Sequence, residues 1–243
     1  PVPASLPGRM EAVMHSLYLL FNEGYNSSHP DQLIRHELCG EAMRLCLLLV
    51  NNKITSVPNA NALLGLMCFQ ASRADARASD DRAIILLKDQ DRSRWSQPLI
   101  EKGKYYLEQA AEGGCFSEYH VEAAIAGCHL HARSFNETDW RQILHLYKIL
   151  AEMKPGPIVE LNMAIATGYA NSPAEGIRAL QDIQGLEHHY LYHSALGDFY
   201  VEVGNGEEAG KSYQKALTLT PSNAEKKLLL AKMQSAGSRN SAT

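Results

Sequence analysis

One run of seven residues has side chains that could bind an anion: Asp89, Gln90, Asp91, Arg92, Ser93, Arg94 and Trp95. Arg92 and Arg94 could clamp a carboxylate or a phosphate, with Trp95 as an apolar or cation–π wall. In the structural alternative, Asp89 or Asp91 bridges an arginine and Trp95 fills a gap between helices. Because unpaired buried charge is costly, the run must be solvated, paired internally or occupied by a partner. A paired loop, a protein-contact surface and a small-ligand pocket all remain open.

A second candidate site is the predicted end of the first helix, at Asn22, Glu23 and Tyr25. An acidic residue there is disfavoured by the helix dipole, so Glu23 is expected to have a cationic partner. Arg92 or Arg94 could supply that partner. Structural pairing and ligand binding are both compatible with this pattern.

A third set of candidates lies on two other predicted helices. Glu160 and Asn162 fall in the first turns of one helix, where the dipole favours an acidic residue and capping is the simpler explanation. Tyr119, His120 and Glu122 fall on a neighbouring helix and could face the same concave surface.

No recognisable catalytic or metal-binding motif is present. Among ten histidines, His189 and His193 are four apart, but two histidines on one helical face make at most half of a zinc site. The chain has no G-x-S-x-G, no Gly-rich phosphate loop and no H-E-x-x-H. The sequence therefore predicts a non-catalytic protein without a metal or another cofactor.

Composition narrows the class of protein further. The formal net charge is −4 over 243 residues, with no run of Lys and Arg, which argues against direct DNA binding. The longest apolar run, Leu45 to Val50, is too short to span a bilayer. Five cysteines without C-x-x-C spacing are typical of reduced thiols. A cytoplasmic protein with no membrane association is predicted.

Apolar residues recur at the helical period from residue 10 onward, and no stretch alternates at the period of a strand. We therefore predict an all-α chain of about eleven helices, with one irregular insertion near 76–97. The helices are expected to form a single repeat domain over 10–236. Residues 1–9 are interpreted as a linker and 237–243 as a disordered tail.

The end of the chain matches the tetratricopeptide pattern of small and large residues. The matching residues are Leu196, Gly197, Tyr200, Gly204, Ala209, Tyr213, Ala216 and Pro221. Gly197 and Ala209 would let two helices approach closely, while Tyr200 and Tyr213 would fill the space between them. Degenerate repeats upstream predict an α-solenoid of tetratricopeptide-like helix pairs.

Several segments resemble a known family in order and in register. Leu17–Tyr25, Leu87–Trp95, Thr138–Trp140 and Val159–Asn162 are similar to motifs in the helical C-terminal extension of bacterial extracytoplasmic-function sigma factors. The likeness runs from about Leu6 to Met233. The sigma regions that bind the promoter and core RNA polymerase are absent from this sequence, so residues 1–9 would be a linker from such upstream regions.

The resemblance implies a regulatory domain that affects transcription initiation through protein contacts. Its implied partners are sigma regions in the same polypeptide, RNA polymerase or a further signalling protein. The alternative function is a sensor of small anions, built on Arg92, Arg94 and Trp95.

Overall fold

The computed structural model describes residues 6–27, 29, 32–79, 83–112, 114 and 116–240. These residues form eleven α-helices and no β-strand, which confirms the predicted all-α class. The helices are α1 (Leu6–Tyr25), α2 (His36–Val50), α3 (Pro58–Ala71), α4 (Gln97–Ala111), α5 (Glu118–His131), α6 (Trp140–Met153), α7 (Pro157–Ala170), α8 (Pro173–Gln181), α9 (Tyr190–Glu202), α10 (Gly206–Leu219) and α11 (Asn223–Asn240). No helix within the described ranges is both long enough and apolar enough to cross a membrane.

The chain divides into two compact units, residues 1–135 and 136–243, which are described separately. The single repeat domain over 10–236 stays a prediction. Helix α1 already begins at Leu6, inside the stretch interpreted as a linker, and α11 continues to Asn240, inside the predicted tail. Residues 1–5 and 241–243 lie outside the described ranges.

Helix α3 is the centre of the first unit. Pro58 stands in its first turn, where a missing N–H costs nothing, and every residue from Ala60 to Phe69 is buried. A helix that is apolar on all sides must be surrounded by other elements, and α1, α2, α4 and α5 all pack on α3. One close approach is set by Gly103 of α4, where a Cβ atom would lie 2.4 Å from the ring of Phe69.

The irregular insertion predicted near 76–97 is present between α3 and α4. This segment, residues 72–96, is here called the connector; residues 80–82 within it are not described. It contains short 3₁₀ turns at Ala74–Ala76, Leu87–Asp89 and Arg92–Arg94, and an isolated antiparallel bridge joins Ala78 to Ile84. It lacks the length of regular helix that a repeat needs, and its shape depends on side-chain contacts.

The predicted tetratricopeptide-like pair is formed by α9 and α10 in the second unit. A Cβ atom on Gly197 would lie 2.4 Å from the ring of Tyr213, so only glycine permits this spacing. Ala209 and Ala216 are fully buried on the same face of α10, and Tyr200 packs beside them. Pro221 follows two residues after α10, as the pattern predicted.

Polar contacts fix α11 against this pair. Lys232 donates to a carboxylate oxygen of Asp198 at 2.7 Å, and the other oxygen of Asp198 accepts from the Tyr213 hydroxyl at 2.8 Å. Burial, together with the charge of Asp198, raises the pKa of Tyr213, so its hydroxyl keeps its proton and remains a donor. These bonds connect α9, α10 and α11.

Two residues of the Thr138–Trp140 motif have structural roles in this unit. Asp139 caps α6 by accepting from the backbone N–H of Gln142 at 2.9 Å. The ring of Trp140 stacks on Tyr169 with centroids 4.5 Å apart, and Tyr169 in turn contacts Phe199.

The substitution Gly197→Ala should destabilise the second unit by about 1–3 kcal/mol, because the added methyl group overlaps the ring of Tyr213. Urea denaturation measures the change. Gly210→Ala in α10 is the matched control, since a Cβ there meets nothing within 4 Å, and it should stabilise by about 0.5–1 kcal/mol. Equal effects of the two substitutions would contradict the close-approach argument.

Candidate functional site

Trp95 of the connector is buried inside the first unit. Trp95 is only 4% exposed and packs against Ala76, Ile100 and Leu130. The backbone N–H of Ser96 donates to the carbonyl oxygen of Ser72 at 2.8 Å, which joins the two ends of the connector. Trp95 therefore fills a gap between helices, as the structural alternative predicted.

Arg92 binds the C-terminal end of α5. Its Nη1 donates to the carbonyl oxygens of His129 at 2.7 Å and Ala132 at 2.8 Å. Its guanidinium carbon also lies 4.4 Å from the centroid of the Trp95 ring. Carbonyls at a helix end have no partner within the helix and carry the negative end of the dipole, so a guanidinium satisfies both their hydrogen bonding and their charge.

Asp91 and Gln90 form hydrogen bonds within the connector. The carboxylate of Asp91 accepts from the N–H and the hydroxyl of Ser93, which lowers the pKa of Asp91. The side-chain N–H of Gln90 donates to the carbonyl oxygen of Ile85 at 3.2 Å. Asp89 and Arg94 lie exposed on the surface. The bridge predicted from Asp89 or Asp91 to an arginine is not what fixes Arg92, which is bonded to main-chain oxygens.

Arg77 of the connector binds the end of α1. Arg77 donates to the carbonyl oxygen of Tyr25 and to the side-chain oxygen of Asn26, and its guanidinium carbon lies 3.9 Å from the Tyr25 ring centroid. Glu23 lies 3.9 Å from Arg35 in a half-exposed ion pair. The sequence predicts Arg92 or Arg94 as the cationic partner of Glu23, whereas Glu23 pairs with Arg35 in the structure. Arg92 instead lies at the end of α5.

Positive charge accumulates around Trp95. The guanidinium carbon of Arg73 lies 5.8 Å from the Trp95 centroid, and burial lowers the pKa of Arg73. Burial, reinforced by the charges of Arg73 and Arg92, lowers the pKa of His129 to about 4. His129 is therefore neutral at physiological pH.

Three predicted site residues meet through a tyrosine that the sequence argument did not single out. The Tyr18 hydroxyl donates to Glu122 at 2.9 Å and also bonds to the side chain of Asn22. The rings of Tyr18 and Tyr119 lie 5.6 Å apart. Burial raises the pKa of Tyr119 to about 12, so neither it nor Tyr18, whose pKa is also raised, is ionised at neutral pH.

Glu160 and Asn162 belong to the second unit, in the first turns of α7, and both are half-buried. Glu160 thus lies at the end of the helix that the dipole favours, but it does not cap α7, whose N-cap residue is Gly156 without a side-chain hydrogen bond. A concave surface shared with Tyr119, His120 and Glu122 stays a prediction, because these three residues belong to the first unit.

A cleft of about 200 Å³ opens beside Trp95. Its basic side chains come from Arg92, Lys104 and Arg133, and its apolar wall from Trp95, Ile100 and Leu130. Lys104 and Arg133 were missed in the sequence argument. Lys104 follows Ile100 of the apolar wall by four residues and therefore lies on the same face of α4.

In the described part of the chain, no three His, Cys, Asp or Glu side chains are placed to hold a metal ion. Cys46 and Cys68 are buried free thiols, and burial raises the pKa of each to about 12. They behave as packing residues in the core around α3.

Comparison with known proteins gives two relationships. Residues 9–111, from α1 to the end of α4, match a family of unknown function (DUF6596). An uncharacterized protein of Rhizobium meliloti (strain 1021) is 33% identical over 218 residues, covering 89% of this chain and 51% of that protein. The chain thus spans about half the length of this curated relative. No solved structure matches the chain.

The matched family region includes all of the connector and the helix that Arg77 binds, but it stops before α5. The carbonyls that Arg92 binds therefore come from outside this region, whereas the similarity to the relative extends over most of both units. The contact between Arg92 and α5 therefore links the matched region to the part of the first unit that lies outside the match.

The substitution Arg92→Met should destabilise the first unit by about 2–4 kcal/mol, since it removes two charge-assisted hydrogen bonds and the contact with Trp95. Denaturation with urea, combined with amide hydrogen exchange in the last turn of α5, measures the effect. Arg94→Met, two residues away and exposed, is the matched control and should change stability by less than about 0.5 kcal/mol. Similar losses for both variants would refute the capping role of Arg92.

His129 should make the first unit sensitive to acid. Its folded pKa of about 4 is below the usual 6.5, so below pH 6.5 the unfolded chain takes up a proton that the folded chain does not. Stability should therefore fall as the pH decreases from 6.5 towards 4, by on the order of 1 kcal/mol for each pH unit. Denaturation midpoints measured across this range should show a flatter profile for His129→Gln. The exposed His131→Gln is the control, and a parent-like slope in His129→Gln would exclude this origin of the pH dependence.

Proposed function

We propose that this chain is a regulatory, protein-binding domain of an extracytoplasmic-function sigma factor. In this proposal it holds or releases a sigma region, core RNA polymerase or a signalling protein, and it catalyses no reaction. Its place of action would be the cytoplasm, where transcription initiates.

The observation that carries the proposal is that side chains of the family-like motifs stabilise the fold. Arg92 binds the end of α5 in the first unit, where Trp95 is buried. Asp139 caps α6, and Trp140 is its first residue. Gly197 sets the contact between α9 and α10. Because these side chains stabilise the fold, the proposal places partner binding on the helical surfaces. Stacked helix pairs present extended surfaces that are suited to protein partners.

The relative from Rhizobium meliloti adds support of a second kind. In that protein about half of the length lies outside the match, which covers 51% of it. Two domains in one polypeptide meet at high effective concentration, so a modest affinity is sufficient for one to control the other. The expected mechanism is a shift in the population of polymerase-competent factor.

The test starts from the gene, whose coding sequence upstream of residue 1 should encode sigma regions. The complete polypeptide and a version without residues 1–243 are then compared by in vitro transcription with core RNA polymerase. Promoter output should differ about fivefold or more, the lower end of typical coupling between sites. Adding the separate 243-residue chain to the shortened factor should move the output back towards the parent level.

Binding of both factors to core polymerase is the control, because it separates regulation from loss of the factor's own fold. Equal promoter output at equal core occupancy would exclude the regulatory role. An upstream sequence without sigma regions would exclude the proposal more directly.

A further inference from the structure

The cleft beside Trp95 brings together basic side chains from three separate segments. Arg92 comes from the connector, Lys104 from the third turn of α4, and Arg133 from the segment that follows α5. The described residues that line the cleft include no Asp or Glu. A concave surface with several cations and no acid in its lining favours an anion.

The cations differ in how firmly they are held. Arg92 is fixed by two carbonyl oxygens and by its contact with Trp95, so its positive charge is already held in place beside the cleft before a ligand arrives. Lys104 is paired with Glu101 at 2.9 Å, and both side chains are well exposed. Exposed pairs of this kind are weak, so an anion in the cleft can compete for Lys104.

The other walls indicate what the ligand carries besides its charge. Trp95, Ile100 and Leu130 give an apolar surface, and the side-chain amide of Gln97 adds a neutral hydrogen-bonding group at the rim. The volume of about 200 Å³ is below the range of roughly 300–1,000 Å³ that is usual for drug-sized ligands. A small molecule with one apolar portion and two negative charges fits these features.

We propose that this cleft binds a small organic dianion, either a phosphate monoester or a dicarboxylate, that carries an apolar group. The inference goes beyond the regulatory role and does not depend on it. It also changes the residues of the anion-sensor hypothesis: Lys104 and Arg133 join Arg92, whereas Arg94 lies outside the cleft lining.

Isothermal titration calorimetry of the full chain at low ionic strength tests the proposal, with phenyl phosphate and phenylsuccinate as probes. At least one probe should bind saturably with a dissociation constant below about 1 mM, and its affinity should fall as salt is added. Phenol, which has the apolar group without the charge, should not bind. The tighter of the two probes identifies the preferred charged group.

Variants locate the site. Lys104→Gln and Arg133→Gln should each weaken binding about tenfold, the loss expected for one charge-assisted contact. Both side chains are solvent-accessible, so the melting temperature should stay at the parent value. Arg94→Gln removes an equal charge from the neighbouring surface and should keep affinity within about twofold.

Two outcomes would overturn the proposal. One is the absence of saturable binding of either probe up to about 10 mM, which corresponds to less than roughly 3 kcal/mol of binding free energy. The other is an equal loss of affinity in Arg94→Gln and in the two cleft variants, which would indicate attraction to overall charge. Neither outcome bears on the promoter-output test of the regulatory role.

Discussion

The first unit depends on the interaction of Arg92 with the free carbonyls at the end of α5. A buried helix end is unstable unless its orphan groups find partners, and the connector supplies them. Arg77 satisfies the end of α1 in the same way. One irregular segment thereby fixes two helices whose ends would otherwise need water, and the aromatic rings of Trp95 and Tyr25 hold the two guanidiniums in place.

A second constraint is shared by both units, namely the pairing of a helix glycine with an aromatic ring on a neighbouring helix. Gly103 meets Phe69 in the first unit, and Gly197 meets Tyr213 in the second. In each case the missing side chain creates the space that the ring fills, so the helices approach closely without a void. The same device explains why a pattern of small and large residues identifies repeats whose surfaces otherwise differ.

Local sequence patterns predicted the parts of the fold that local forces determine. Helical periodicity predicted the all-α class and about eleven helices, the number that the described residues form, and the small–large pattern predicted the pair of α9 and α10. The partner of Arg92 could not be predicted, because main-chain carbonyls 37 and 40 residues away carry no signature in the sequence. The cleft could not be predicted from the sequence for the same reason, because Lys104 and Arg133 come near Arg92 only after α4 and α5 have packed on α3.

The two tryptophans of the chain fall one in each unit, Trp95 beneath its arginines and Trp140 against Tyr169. Their surroundings differ, since one indole is stacked with guanidinium and the other with a phenol ring. Each unit therefore contains one tryptophan as a fluorescent probe. Replacing one tryptophan by phenylalanine leaves tryptophan emission from the other unit alone. The order in which the two units lose structure can then be followed by emission spectroscopy without any added label.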